Sequence, residues 1–434
     1  MKILIRNGRV IDPARNFDEI CDVAVAAGRI VSIRNVPDGF GANKVIDARG
    51  CVVAPGLIDL AVRLREPGHE HEGMLESEMA AAVAGGVTGL VCPPDTDPVL
   101  DEPGLVDMLK FRAEKLHQAR VFPLGALTRG LAGEVLTEMA ELTESGCVGF
   151  SQAEVPLLNT QVLQRALQYA STYDYTVWLR PQEIHLGKGV AASGPLATRL
   201  GLSGVPVAAE TIALHTIFEL VRATGARVHL CRLSSAAGIA LVRQAKDEGL
   251  PVTCDVSINS LHLTDLDIGF FDSRARLSPP LRQQRDRDAL REALADGTVD
   301  ALVSDHTPVA ADEKTLPFAE AEPGATGVEL LLGLALKWGQ ESGVGLMRAL
   351  AVLTSEPARV IGASLGTLQA SAGQLVDGGV ADVCIFDPQG AWTVEAEGLR
   401  SQSKHTPFSG HELPGRVRCT LVGGQVAYES RDRS

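Results

Sequence analysis

Basic charge is in short supply: 40 Lys and Arg face 54 Asp and Glu, leaving a formal net charge of −14 over 434 residues. Nucleic acids and anionic membrane surfaces are bound through clustered Lys and Arg, so neither is expected as a main partner. Paired cysteines are missing too. The eight stand apart at 21, 51, 92, 147, 231, 254, 384 and 419, with no C-x-x-C pair, in a chain too long to need disulfide staples. Reduced, buried thiols are expected. No run of 18 apolar residues occurs, and the opening MKILIRNGRVID has no apolar segment followed by a small-residue cleavage site. The sequence therefore predicts a cytoplasmic protein that neither crosses a membrane nor is exported.

What is present is a core. With 45% hydrophobic and 22% charged residues, the chain can fill a barrel-sized interior and a second module. Both ends read as β-structure: KILIRNGRVID, VAVAAGRIVSI and CTLVGGQVAY each place two short β runs around Asn7-Gly8, Ala27-Gly28 or Gly423-Gly424. Such turns predict hairpins. Between them the apolar runs GLVC, RVFPLGAL, CVGF, YTVWL, RVHLCRL, LPVTCDV and DALVSD alternate with helical-period segments such as Val162–Thr172 and Ile212–Thr224. That alternation predicts an α/β fold, a (β/α)8 barrel over residues 55–369. The barrel is inserted in a small β-sandwich module built from residues 1–54 and 370–434.

Barrel chemistry sits at the C-terminal ends of the strands. In CVVAPGLIDLAVRLREPG, strand alternation puts Leu60, Val62 and Leu64 on one face and Ala61, Arg63 and Arg65 on the other. Arginine thus points where a core is expected. The other strand ends offer Asp95, Gln152, Arg180, Arg232, Asn259 and the pair Asp305-His306.

APGLIDLAVRLREPGHEHEG resembles the dihydroorotase signature P-G-x-x-D-x-H-x-H-L-R-x-P-G. PPDTDP is similar to its P-N-T-x-P, LSPPLR to N-P-P-L-R, and SDHTP to D-H-x-P. GATGVELLL, SEPARVIG, GGVADVCIFDP and TPFSGHELPG continue the likeness in order, from about Met1 to Val426. The resemblance implies an amidohydrolase barrel whose metal centre activates water to open, or in reverse to close, a cyclic amide.

Carried over position by position, the metal ligands are gone. The two histidines of the first strand correspond to Ala61 and Arg63, and the bridging acid falls at Ser151, Gln152 or Ala153. The next two histidines correspond to Arg180 and Arg232, and only the final aspartate is kept, as Asp305. Zinc needs three or four N, O or S donors at about 2.0–2.3 Å. Guanidinium stays protonated and offers donors only, so it repels a cation where imidazole would bind it. No metal and no cofactor is expected, and Arg63, Arg180 or Arg232 is expected to pair with Asp305, which would otherwise be a costly buried charge. His69, His71, His185, His229, His262 and His306 are read as solvated or core-satisfied. Alternation places His229 opposite Arg232, and Cys231 facing away as an inert thiol.

The residues corresponding to the substrate pocket are mixed. Arg65 keeps the arginine that holds the substrate carboxylate in the family, or is tied to Glu66 or Glu70 instead. Asp95 replaces an asparagine and would repel that anion. Asn259 and Ser260 replace two histidines, and Ser278 an asparagine. The degenerate site implies a non-catalytic homologue, like the dihydroorotase-like chain that completes some bacterial aspartate transcarbamoylase complexes in pyrimidine biosynthesis. Its expected partners are the aspartate transcarbamoylase catalytic chain and a second copy of itself as a dimer within the complex. The alternative is an active dihydroorotase or other cyclic-amide hydrolase with a rebuilt site; a weaker third reading is a small-anion sensor.

Overall fold

The computed structural model describes residues 1–157 and 159–430. The chain begins with five strands, β1 (Lys2–Asp12), β2 (Phe17–Ala26), β3 (Arg29–Ile33), β4 (Lys44–Asp47) and β5 (Val52–Pro55). Asn7-Gly8 is not a hairpin turn. β1 runs straight through it with a register shift between Ile5 and Gly8, pairing with β4 before the shift and β5 after it. Asn7 sits at φ 62°, and a Cβ on Gly8 would lie 2.5 Å from the Val53 side chain, so the pair makes a bulge that lets one strand change neighbours. Ala27-Gly28 does turn β2 into β3.

The barrel follows as β6 (Leu57–Asp59), β7 (Val87–Cys92), β8 (Arg120–Pro123), β9 (Gly125–Ala126), β10 (Phe150–Ser151) and β11 (Thr176–Leu179). After a small pair, β12 (Ala191–Ala192) and β13 (Gly204–Val205), come β14 (Arg227–Leu230), β15 (Val252–Ser257) and β16 (Ala301–Val303). β8 and β9 are one strand interrupted at Leu124, whose amide still bonds the Cys92 carbonyl at 2.9 Å. With that strand the paths β6-β7-β8 and β9-β10-β11-β14-β15-β16 give eight parallel staves. The last joins the first through His306: its amide donates to Ala61, and its carbonyl accepts from Arg63 at 2.9 Å. Buried Asp59 braces the seam by accepting from the amides of Ser304 and Ala61. Burial pushes its carboxyl up to about 6.

Alternation sorts the side chains. Val177 and Leu179, Val228 and Leu230, and Val252, Cys254 and Val256 face the helices. Ile58, Val91, Leu124, Trp178, Ala301 and Val303 fill the interior, closed off by Ala358, Val360 and Leu365. Leu60 departs from expectation: it joins this interior cluster, while Val62 and Leu64 belong to the outer shell. The regular strand ends at Asp59, and the Asp59–Ala61 bond bends the chain there.

The C-terminal strands β17 (Val383–Thr393), β18 (Glu412–Val422) and β19 (Gln425–Glu429) return to the terminal module. β17 pairs with β5, giving the order β19-β18-β17-β5-β1-β2-β3 with β4 beside β1. Ile3, Ile5, Val23, Val25, Ile30, Val53, Val383, Ile385 and Leu421 share one separate core. Strands from both ends of the chain thus build one module.

Candidate functional site

Arg63, Arg65, Asp95, Arg180, Arg232 and Asp305 line one cavity of about 300 Å³ at the barrel mouth, with Glu154, Ser278, Thr307 and Glu322. Ala61, Gln152 and Asn259 are not among its walls. Gln152 is buried in structure: its carbonyl accepts from Thr128 and its amide donates to the Leu131 carbonyl at 2.7 Å. Asn259 is buried on the short helix Ile258–His262, and its backbone amide caps onto the Ser257 hydroxyl.

Glu154 is the residue that strand register missed. β10 ends at Ser151, and a left-handed Ala153 (φ 50°) turns the chain, so the acid arrives one position later than alternation allows. The only acid in SQAEVP was the available signal. Arg63 donates from Nη2 to Glu154 Oε1 at 2.9 Å, Arg232 Nη2 bonds the same oxygen, and Arg180 Nη1 bonds Oε2. Three guanidinium groups close on one carboxylate.

The remaining contacts spread from that centre. Arg232 Nη1 donates to Asp305 Oδ1 at 3.0 Å, and Arg63 Nη1 lies 3.9 Å from the same atom. Arg180 turns instead to Glu154 and to the Ser278 hydroxyl at 2.7 Å. Arg63 Nε holds Asp95 at 2.9 Å, and its Nη1 donates to Thr307 Oγ1. Asp95 is therefore spent on an arginine. Arg65 pairs with Glu72 at 2.6 Å and donates to the Pro308 carbonyl. It is not tied to Glu66, which pairs with Arg112, or to Glu70, which accepts from the Gly68 amide.

Charge in the cavity balances, Arg63, Arg65, Arg180 and Arg232 against Asp95, Glu154, Asp305 and Glu322. Burial disfavours the Glu154 anion, but Arg180, Arg232 and Arg63 outweigh it and hold the carboxyl well below the usual carboxylate range. Burial raises Asp305 despite Arg232 and Arg63. The proton on Arg232 is held more firmly than usual, because Glu154 and Asp305 overcome the cost of burial. A cation entering here would meet no net negative charge and no imidazole. The donors present do not fit the metal of an amidohydrolase centre.

His229 and Cys231 do not face away as alternation suggested. His229 is fully buried inside the barrel, its ring 4.3 Å from that of Trp178 and its nitrogens bonded to Thr253 and Asp255. Cys231 packs on the same interior cluster, and burial pushes its thiol well above the ordinary value. Arg232 reaches the mouth because its backbone is left-handed (φ 53°), which breaks the two-residue period. Its amide is fixed by Asp255 Oδ1 at 2.7 Å. His306 is core-satisfied, bonded to Glu78 at 2.8 Å and accepting from the Gly327 amide.

Comparison with known proteins agrees with this architecture. The L-hydantoinase (dihydropyrimidinase) of Arthrobacter aurescens superposes with a TM-score of 0.87 at 24% identity, over 98% of this chain and 96% of that one. The fold is that of a barrel amidohydrolase with a terminal β-sandwich. Residues 50–237 match the family model described as Dihydro-orotase-like. A "Dihydroorotase-like protein" of Pseudomonas aeruginosa is 47% identical over 99% of this chain and 100% of its own length. A "Dihydroorotase" of Geobacter metallireducens is 39% identical over 99% and 100%. The chain belongs to the dihydroorotase-like family.

Proposed function

We propose that this chain is a non-catalytic dihydroorotase homologue that serves in the cytoplasm as an assembly subunit of an aspartate transcarbamoylase complex in pyrimidine biosynthesis. One observation carries the first half: Arg63, Arg180 and Arg232 clamp Glu154 at the point where the family's chemistry needs a dication. Water activation and carbonyl polarisation both require that ion, and the guanidinium groups supply neither an open coordination position nor a base. The second half rests on the full-length likeness to proteins named dihydroorotase-like. A cavity whose charged walls are already paired with one another leaves the outer surfaces to do the work, with the aspartate transcarbamoylase catalytic chain and a second copy of this chain as partners.

The test is co-purification. Mixed with the aspartate transcarbamoylase catalytic chain of its own source, this chain should elute with it at a mass above either alone, and Arg232→Met should leave that association intact. Separate elution under all conditions overturns the assembly role. The competing reading, an active dihydroorotase with a rebuilt site, draws on relatives such as the one from Geobacter metallireducens that carry the name Dihydroorotase. It requires turnover of dihydroorotate that disappears in Asp305→Asn.

A further inference from the structure

Among the described residues, two groups of side chains outside the barrel mouth bring three metal-type donor atoms within 4.8 Å of one another: His229, Cys231 and Asp255, and His71, Glu72 and Glu313. The first is closed. Both His229 nitrogens and both Asp255 oxygens are already spent, on Thr253, on each other and on the Arg232 amide.

The second group is open. His71 is exposed on the loop after β6, Glu72 follows it with a side chain only 7% exposed, and Glu313 comes from the helix Ala311–Lys314 after β16. Arg65 gives its Nε hydrogen to the Pro308 carbonyl. Glu72 Oε2, 2.6 Å from the same nitrogen, therefore receives charge but no aligned hydrogen bond. Glu313 Oε2 is likewise buried without a hydrogen-bond partner. Among the described residues Arg65 pairs with Glu72 alone, which leaves the buried Glu313 Oε2 without a hydrogen-bond donor. An unpartnered buried carboxylate oxygen is an expensive thing to keep.

The backbone here is already set. Gln402 donates from its side-chain amide to the carbonyls of Glu70 and His71, at 2.9 and 3.0 Å, and the Glu72 amide bonds the His69 carbonyl. The three donor atoms already lie within 4.8 Å of one another on this fixed backbone.

We propose that His71, Glu72 and Glu313 form a site for a zinc-type divalent cation, which clips the loop after β6 to the helix after β16. One imidazole and two carboxylates suit zinc, with water as the fourth ligand. The site lies outside the arginine-filled mouth and is structural. It does not restore hydrolysis.

The experiment is titration of chelator-treated full-length protein with zinc chloride by calorimetry, followed by thermal melting with and without the ion. One zinc per chain is expected, with a raised melting midpoint, and His71→Ala and Glu313→Gln should each weaken binding at least tenfold and abolish the shift. His71 is exposed, and Glu313→Gln keeps the side-chain shape, so folding survives. Absent zinc binding, or binding unchanged in both variants, overturns the site. Zinc lost instead in Asp305→Asn would place the ion in the barrel mouth, overturning this site and the non-catalytic reading together. Zinc lost only in the His71 and Glu313 variants leaves that reading standing.

Discussion

Glu154 and Arg232 show how much rests on single side chains in this mouth. Arg232 is 6% exposed and bonds both Glu154 and Asp305, so removing either partner strands a charge in a poorly solvated place. Breaking a fully buried pair costs about 3–5 kcal/mol. The Glu154 side chain is one-third exposed, which moves the expected loss for Glu154→Gln toward the lower end of that range. Arg232→Met and Asp305→Asn should be non-additive, with a coupling energy above about 1 kcal/mol in a double-mutant cycle read by urea midpoint. Additive losses would show that the 3.0 Å contact does no stabilising work. The arginines were legible in the sequence because their type is incompatible with a cation, whatever their exact geometry. Glu154 was not: a one-residue turn defeats an argument built on a two-residue period.

Elements carry the next layer of the account. Ala153, Arg232 and Asp305 all adopt left-handed backbone just past their strands, and these turns, more than the strands, aim charge into the mouth. Strand existence was readable from short apolar runs. The turns were not, since no Gly marks those three positions and a left-handed Ala or Arg has no sequence signature. The same failure made Asn7-Gly8 look like a hairpin when tertiary pairing to β4 and β5 uses it as a bulge.

The short helix Ile258–His262 gives an element-scale prediction. His262 Nε2 bonds the Leu334 carbonyl at 2.9 Å, and its ring meets the edge of Phe408. Burial, helped by Arg291, pushes the imidazole down to about 4 from 6.5. The unfolded chain therefore takes up a proton first as pH falls. The stability from neutral His262 is fully present above about 6.5 and is lost progressively down to about 4, at most about 3 kcal/mol from that shift. Urea denaturation between pH 7 and 4 should show that slope, and His262→Gln should flatten it. An unchanged slope in the variant would assign the acid sensitivity to other groups.

At the scale of the whole molecule, a net charge of −14 coexists with a mouth whose four arginines and four acids cancel. Paired charges of this kind leave little to hold a dication, so no single reversion is predicted to create a working metal centre. Arg63→His returns one imidazole but leaves Ala61, Arg180 and Arg232 as they are, so dihydroorotate hydrolysis should stay at the buffer rate in both wild type and variant. Turnover in the variant alone would mean that the rest of the site is far more intact than its ion pairs indicate. The barrel and its terminal module were readable from alternation and from β-rich ends, because both patterns are set by burial. Partner surfaces leave no such trace, since an interface need not be more apolar than the rest of a surface.

The central claim is that guanidinium groups occupy the electrostatic place of a metal. A zinc-edge anomalous difference map from crystals grown with zinc chloride tests it most directly. The account predicts no peak among Arg63, Arg180, Arg232, Glu154 and Asp305, with any bound zinc at His71, Glu72 and Glu313. A peak within bonding distance of Asp305 or Glu154 would contradict it.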